Sequence, residues 1–213
     1  MAIKKDREYR NMVLEVRTAD ETEPALEERK IVRGYASTFG EPYTLYRGNG
    51  WRLDEVVDSR AFDNTDMTDV IMQYDHEGRV FARMSNNTLT VTPDEKGLLI
   101  EADLGGTELG RQLYEEIRGG YTNKMSFGFT VDGEVENKEM VDGTVIYTRT
   151  ITSVRKLYDV SAVSIPANDA TSISVRNLTD GVIEKIQAER LEAEALELRR
   201  RKLLVRAKLN GGQ

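Results

Sequence analysis

The chain has 213 residues, 39% hydrophobic and 31% charged, with a formal net charge of -7, a single histidine and no cysteine. That length suits one domain of ordinary size with an appendage. The composition excludes disulfides, thiolate metal sites and a cysteine nucleophile, leaves any zinc site to rest almost wholly on carboxylates, and argues against a general nucleic-acid binder, which carries a basic face.

The start, Met1-Ala2-Ile3-Lys4-Lys5-Asp6-Arg7, is charged and lacks the apolar stretch of a signal peptide. No run of about 18 apolar residues is present to span a membrane. The expectation is a soluble, intracellular protein with no cofactor, no nucleic-acid partner and no membrane partner.

Residues up to about 175 read as mainly β. Met12 to Arg17 and Ile31 to Ala36 are rich in β-branched and alternating apolar residues, as strands are. Asp20 to Lys30 between them is a polar, acidic turn region. Phe39-Gly40-Glu41-Pro42 and Gly48-Asn49-Gly50 are loop signals, and Arg52 to Val57 reads as a further strand. Val70-Ile71-Met72-Gln73-Tyr74 is a buried-type strand that ends at Asp75-His76, where a functional loop commonly begins. Thr88 to Val91 and Leu98 to Ala102 flank a turn of Pro, Asp and Gly and form a β-hairpin.

A helix is expected over Thr107 to Arg118, with Thr107 as N-cap, Leu109, Leu113 and Ile117 on one face, and Gly119-Gly120 ending it. Three strands follow: Met125 to Val131, Val145 to Val154, and Leu157 to Ile165. Asp142-Gly143-Thr144 forms the turn after a polar segment.

From about Thr179 the chain is dense in Glu, Arg, Lys, Ala and Leu. Ala188, Leu191, Ala195, Leu198, Val205 and Leu209 recur in three- and four-residue steps, broken at Lys202. Acidic residues crowd the first half and Arg199-Arg200-Arg201-Lys202 the second, which suits the helix dipole. This helix either packs on its own domain or binds a partner.

The chemistry centres on His76, since any neutral-pH imidazole must come from it. A serine nucleophile needs such a base, and the base needs an orienting group, usually a carboxylate. Ser126, in Met125-Ser126-Phe127-Gly128-Phe129, is a small polar residue between large apolar ones, beside a glycine that lets backbone come close. An ordinary strand with a small inward residue has the same appearance. Asp159 alternates with Val160, so it shares a face with Ser161. It is the first choice for the orienting acid, with Asp75 and Glu77 behind it. The absence of a Gly-x-Ser-x-Gly elbow disfavours an α/β-hydrolase.

Taken together, Val32 to Ala36, Tyr74-Asp75-His76, the hairpin around Pro93 to Leu98, the helix ending Ile117 to Gly120, Met125 to Phe129, and Asp159-Val160-Ser161 with Pro166-Ala167 resemble the prohead (procapsid maturation) serine proteases of tailed bacteriophages, relatives in fold of herpesvirus assemblin. The resemblance covers roughly residues 10 to 175. It implies an α+β, mainly β fold: a closed, herpesvirus-protease-like β-barrel flanked by helices over residues 1–177, with a C-terminal amphipathic helical extension over 178–213. It implies Ser126 as nucleophile, His76 as base and an acidic third member, Asp159. The herpesvirus relatives use a second histidine, which this chain lacks.

The resemblance also implies a serine endopeptidase that works inside the procapsid in the host cytoplasm. Its substrates would be scaffold, or the scaffolding segment of the major capsid protein, and the protease itself. A homo-oligomer is expected, with the C-terminal helix as a scaffold-binding or targeting segment. Backbone amides near Ser126 or Gly128, or Arg149 or Arg155 through a water, are the candidate oxyanion donors. A non-enzymatic β-barrel assembly module, or a scaffold acting through its C-terminal helix, is the competing reading.

Overall fold

A computed structural model of the chain describes residues 7–12, 17–18, 29–164, 184 and 187–203. The chain divides into two units, Met1–Ser172 and Ile173–Gln213. The expected domain boundary at 177/178 lies outside the described residues.

In chain order the first unit contains β1 (Glu8–Met12), β2 (Arg17–Thr18), β3 (Ile31–Thr38), β4 (Tyr43–Gly48), β5 (Trp51–Val57), β6 (Ile71–Tyr74), β7 (Glu77–Arg83), β8 (Leu89–Pro93), β9 (Gly97–Asp103), α1 (Glu108–Arg118), β10 (Lys124–Val141) and β11 (Thr144–Val163). The fold is α+β and mainly β. One sheet is seven-stranded, in the order β1-β10-β11-β5-β4, with β6 pairing β11 and β7 pairing β6. The other is four-stranded, β2-β3-β9-β8. A single ladder that closes on itself is not traced among the described residues.

β11 is the spine of the larger sheet. One edge runs antiparallel to β10 along its whole length. The other edge takes β5 in parallel over Val145 to Ile151 and β6 in parallel over Asp159 to Ala162. Asp142 and Gly143 both adopt positive φ, 49° and 78°, as the tight two-residue turn joining β10 to β11 requires.

The sequence pattern predicts three strands and a polar segment here; the structure has two strands of 18 and 20 residues. The reason is exposure. Beyond Val131 nearly all of β10 is exposed, so its residues carry no apolar alternation and look like a loop. Two further strands carried no signal for the same reason. β4 is only half-buried, and β7 starts with exposed Glu77, Gly78, Arg79 and Val80. Of the expected strand over Met12 to Arg17, residues 13–16 lie outside the described residues, as do Ile165 and most of Asp20 to Lys30.

The core holds Val32, Met72, Leu98, Ile100, Phe127, Phe129 and Val160, all completely buried or nearly so. Phe127 and Phe129 stack at 4.5 Å between centroids. α1 covers part of this core. Its Thr107 cap accepts a hydrogen bond from the Gly110 amide at 2.9 Å, which satisfies one orphan donor of the first turn. The buried face is Gly110, Leu113, Tyr114 and Ile117. Leu109, expected on that face, is exposed; a Cβ at Gly110 would strike the Leu104 carbonyl, so the helix rolls its glycine into the tightest contact.

In the second unit residues 187–203 are helical and exposed throughout. The pairs Arg190–Glu194 at 3.0 Å and Glu197–Arg201 at 2.8 Å bridge successive turns. Val205 and Leu209 of the expected stripe lie outside the described residues. No described helix is long and apolar enough to cross a membrane.

Candidate active site

His76 sits on the turn that joins β6 to β7. Asp75 and His76 have φ of 49° and 60°, and Tyr74 pairs with Glu77 across the turn. Two left-handed residues in a two-residue hairpin define a type I′ turn. Asparagine or glycine is favoured there, so a histidine holds its place at a conformational cost. The Asp75 carboxylate offsets it by accepting from the Ser164 amide at 2.9 Å and its hydroxyl at 2.8 Å, fastening the turn to the end of β11. Asp75 therefore does not orient the imidazole, and Glu77 makes no described hydrogen bond to it.

Ser126 lies on β10 and Asp159 on β11, on one face of the sheet. Ser126 pairs with Ser161 and Gly128 with Asp159, and directly opposed residues share a face. Past this point the register shifts so that Phe129 faces Leu157. Tyr158 is the extra residue of a bulge, a device common beside active sites. β6 runs parallel to β11 from Ile71 opposite Asp159, and this register carries the Asp75-His76 turn over both strands.

The side chains meet. His76 Nε2 is 2.5 Å from Ser126 Oγ, and His76 Nδ1 hydrogen-bonds Asp159 Oδ2. Asp159 Oδ2 also accepts from Ser161 Oγ at 3.2 Å, and Oδ1 takes the Arg7 guanidinium. Asp159 and Ser126 are both fully buried, and His76 is 14% exposed in its side chain. With Nδ1–H donated to the carboxylate, Nε2 is left to accept from a serine hydroxyl, the arrangement a general base needs.

Arg7 and Tyr9 carried no functional signal in the sequence. The Tyr9 ring packs on His76 at 4.4 Å between centroids, and Arg7 stacks on Tyr158 at 4.3 Å. Burial, opposed by Arg7 and aided by Asp159, raises the Tyr9 pKa, so the phenol stays neutral. Ser126 Oγ also lies 2.8 Å from the Arg10 carbonyl. One hydroxyl proton serves either that carbonyl or His76.

Arg149 is not at this site. Its guanidinium is held by Glu8, Glu55 and Glu134. Arg10 alternates with Tyr9 and points to the opposite face, donating to Glu55 at 2.6 Å and 2.8 Å. Arg155 is exposed. The Ser126 and Gly128 backbones lie in ladders with β1 on one side and β11 on the other. Among the described residues no group of three His, Asp or Glu could hold a metal ion.

A family model described as caudovirus prohead serine protease matches residues 14–184. The chain belongs to that family. The matched stretch contains His76, Ser126 and Asp159 and begins just after β1. As a prohead serine protease the chain is a phage protein of the peptidase class that acts in capsid maturation. No curated protein and no solved structure matches it.

Proposed function

We propose that this prohead serine protease cuts peptide bonds with Ser126 as nucleophile, His76 as general base and Asp159 as the group that orients and stabilises the imidazole. The observation that carries the reading is His76 reaching Ser126 through Nε2 and Asp159 through Nδ1 at once. As Ser126 Oγ attacks the scissile carbonyl carbon, its proton passes to His76 Nε2, and the buried Asp159 carboxylate stabilises the resulting imidazolium. His76 then gives that proton to the leaving amine. The acyl-serine ester is hydrolysed by a water that His76 deprotonates in turn, restoring the starting state.

The substrates in this proposal are scaffold, or the scaffolding segment of the major capsid protein, and the protease itself, cut within the procapsid in the host cytoplasm. Closure of the two sheets into a herpesvirus-protease-like barrel, a homo-oligomeric state and a targeting role for the helix around residues 187–203 belong to the same proposal. The test is co-expression with the capsid protein, comparing wild type with Ser126→Ala and mapping cuts by mass spectrometry. Intact capsid protein and protease in the wild-type sample sink it.

One observation favours the second reading, a non-enzymatic assembly module: Ser126 has no exposed surface. Covalent labelling of Ser126 by a fluorophosphonate separates the two, since a passive module leaves the probe unreacted.

A further inference from the structure

A serine protease attacks a chain that lies extended beside the nucleophile, held by main-chain hydrogen bonds as an added strand. In this protein that place is taken. β1 is an edge strand, antiparallel to β10, with Asn11 opposite Ser126 and Tyr9 opposite Gly128. Three groups of this one segment close on the three site residues. The Arg10 carbonyl meets Ser126 Oγ, the Tyr9 ring meets His76, and the Arg7 guanidinium meets Asp159. We propose that β1 is a built-in inhibitory strand in the substrate's place beside β10, and that an extended substrate segment must displace it before cleavage. The inference rests on the protease reading above and adds to it the mode of substrate docking and the means of restraint.

The contacts are unproductive in a specific way. Attack needs the serine oxygen aimed at a carbonyl carbon, with the carbonyl oxygen turned toward donors elsewhere. Here the Arg10 oxygen itself faces Ser126 Oγ at 2.8 Å. It competes for the proton that His76 must take and stands between the serine and any incoming bond. Arg7 also engages the second oxygen of the Asp159 carboxylate on which His76 depends.

β1 can leave without stranding Glu55 or Arg149, and Asp159, which gives up Arg7, keeps His76 and Ser161. Glu8 and Arg10 enter the interior as an opposed pair. With both gone, Glu55 keeps Arg149 and the Tyr43 hydroxyl, and Arg149 keeps Glu55 and Glu134. Removing one partner of a buried pair is the costly event, and displacement of the whole strand avoids it at Glu55 and Arg149. β1 also precedes residue 14, where the family match begins.

The chain has no cysteine, so a paired substitution gives one defined disulfide. Met12 and Met125 are opposed across β1 and β10, and the full-length variant Met12→Cys with Met125→Cys locks the strand when oxidised. The readout is the rate at which a fluorophosphonate probe labels Ser126, located by mass spectrometry. The reduced form is expected to label at least about tenfold faster than the oxidised form, because reactivity scales with the open fraction, and reductant should restore the rate. Equal rates in the two forms overturn the proposal.

Tyr9→Ala in the full chain is the second arm. Loss of the ring from His76 loosens an inhibitory strand and speeds labelling, whereas slower labelling means β1 builds the site and overturns the proposal. If no folded form labels at all, the protease reading itself fails and this inference goes with it.

Discussion

Gly128 stands directly opposite Asp159 across the β10–β11 ladder, and the missing side chain at 128 is what gives the Asp159 carboxylate its room. A Cβ built there would collide with Asp159 Oδ1 and come within 2.8 Å of the Tyr9 ring. Gly128→Ala is therefore expected to push Asp159 off His76. Overpacking of this kind costs about 1–3 kcal/mol, so the protein should stay folded by circular dichroism while capsid cleavage falls by at least about 100-fold, as small misplacements at a reacting centre do. Unchanged cleavage would show that Asp159 is not needed where it lies.

Ser126→Ala, His76→Ala and the double variant should all reduce cleavage by a similar factor, on the order of 10⁴ or more, because members of such a constellation act as a unit. Asp159→Asn should lose roughly 10⁴-fold by permitting the wrong imidazole tautomer. Single-turnover cleavage of a capsid-protein fragment checks all four. A double variant much weaker than either single one contradicts the shared role.

Asp75→Ala removes the clamp between the His76 turn and Ser164. Losing such hydrogen bonds costs about 1 kcal/mol, a modest fall in the melting temperature. Cleavage should fall further than stability does, since the imidazole rides on that turn. Retention of full activity would show that the turn holds its shape unaided.

Arg149→Met leaves Glu8 and Glu55 inside the protein with one cation fewer. Breaking a buried pair costs about 3–5 kcal/mol, and a domain of this size should lose on the order of 10 °C in melting temperature. Glu55 also sets a pH dependence. Burial alone would raise its pKa, but Arg10 and Arg149 hold it below the usual value. A carboxyl depressed in the folded state contributes stability above its unfolded pKa of about 4.3, and that contribution is lost as pH falls through the folded value. Chemical denaturation between pH 7 and pH 3 should show stability falling below about pH 4.3 in wild type, with a smaller fall in Glu55→Gln.

What was legible in the sequence divides along exposure and distance. His76 just past a strand end, the Thr107 cap, the Pro93 to Gly97 turn and the shared face of Asp159 and Ser161 are local patterns, and local patterns survive without the fold. β4, β7 and the outer half of β10 left no trace, because an exposed strand needs no apolar alternation. Arg10 and Glu55 were the least readable residues. A buried ion pair looks like surface in one dimension, and only the meeting of β1 with β5's side of the sheet explains it. Arg7 and Tyr9 reach the site from the far end of the chain, more than 60 residues from His76 and 150 or more from Asp159, so no spacing rule could have tied them to it.

The spine position of β11 has a consequence for synthesis. β5, β6 and β10 each gain their second neighbour only when β11 is made, and Asp159 comes near its end. A nascent chain released up to residue 143 would carry Ser126 and His76 with neither the acid nor the strand that brings them together. On the proposed reading cutting therefore waits for β11, and a copy stopped short of it has no means of attacking its neighbours on the same message.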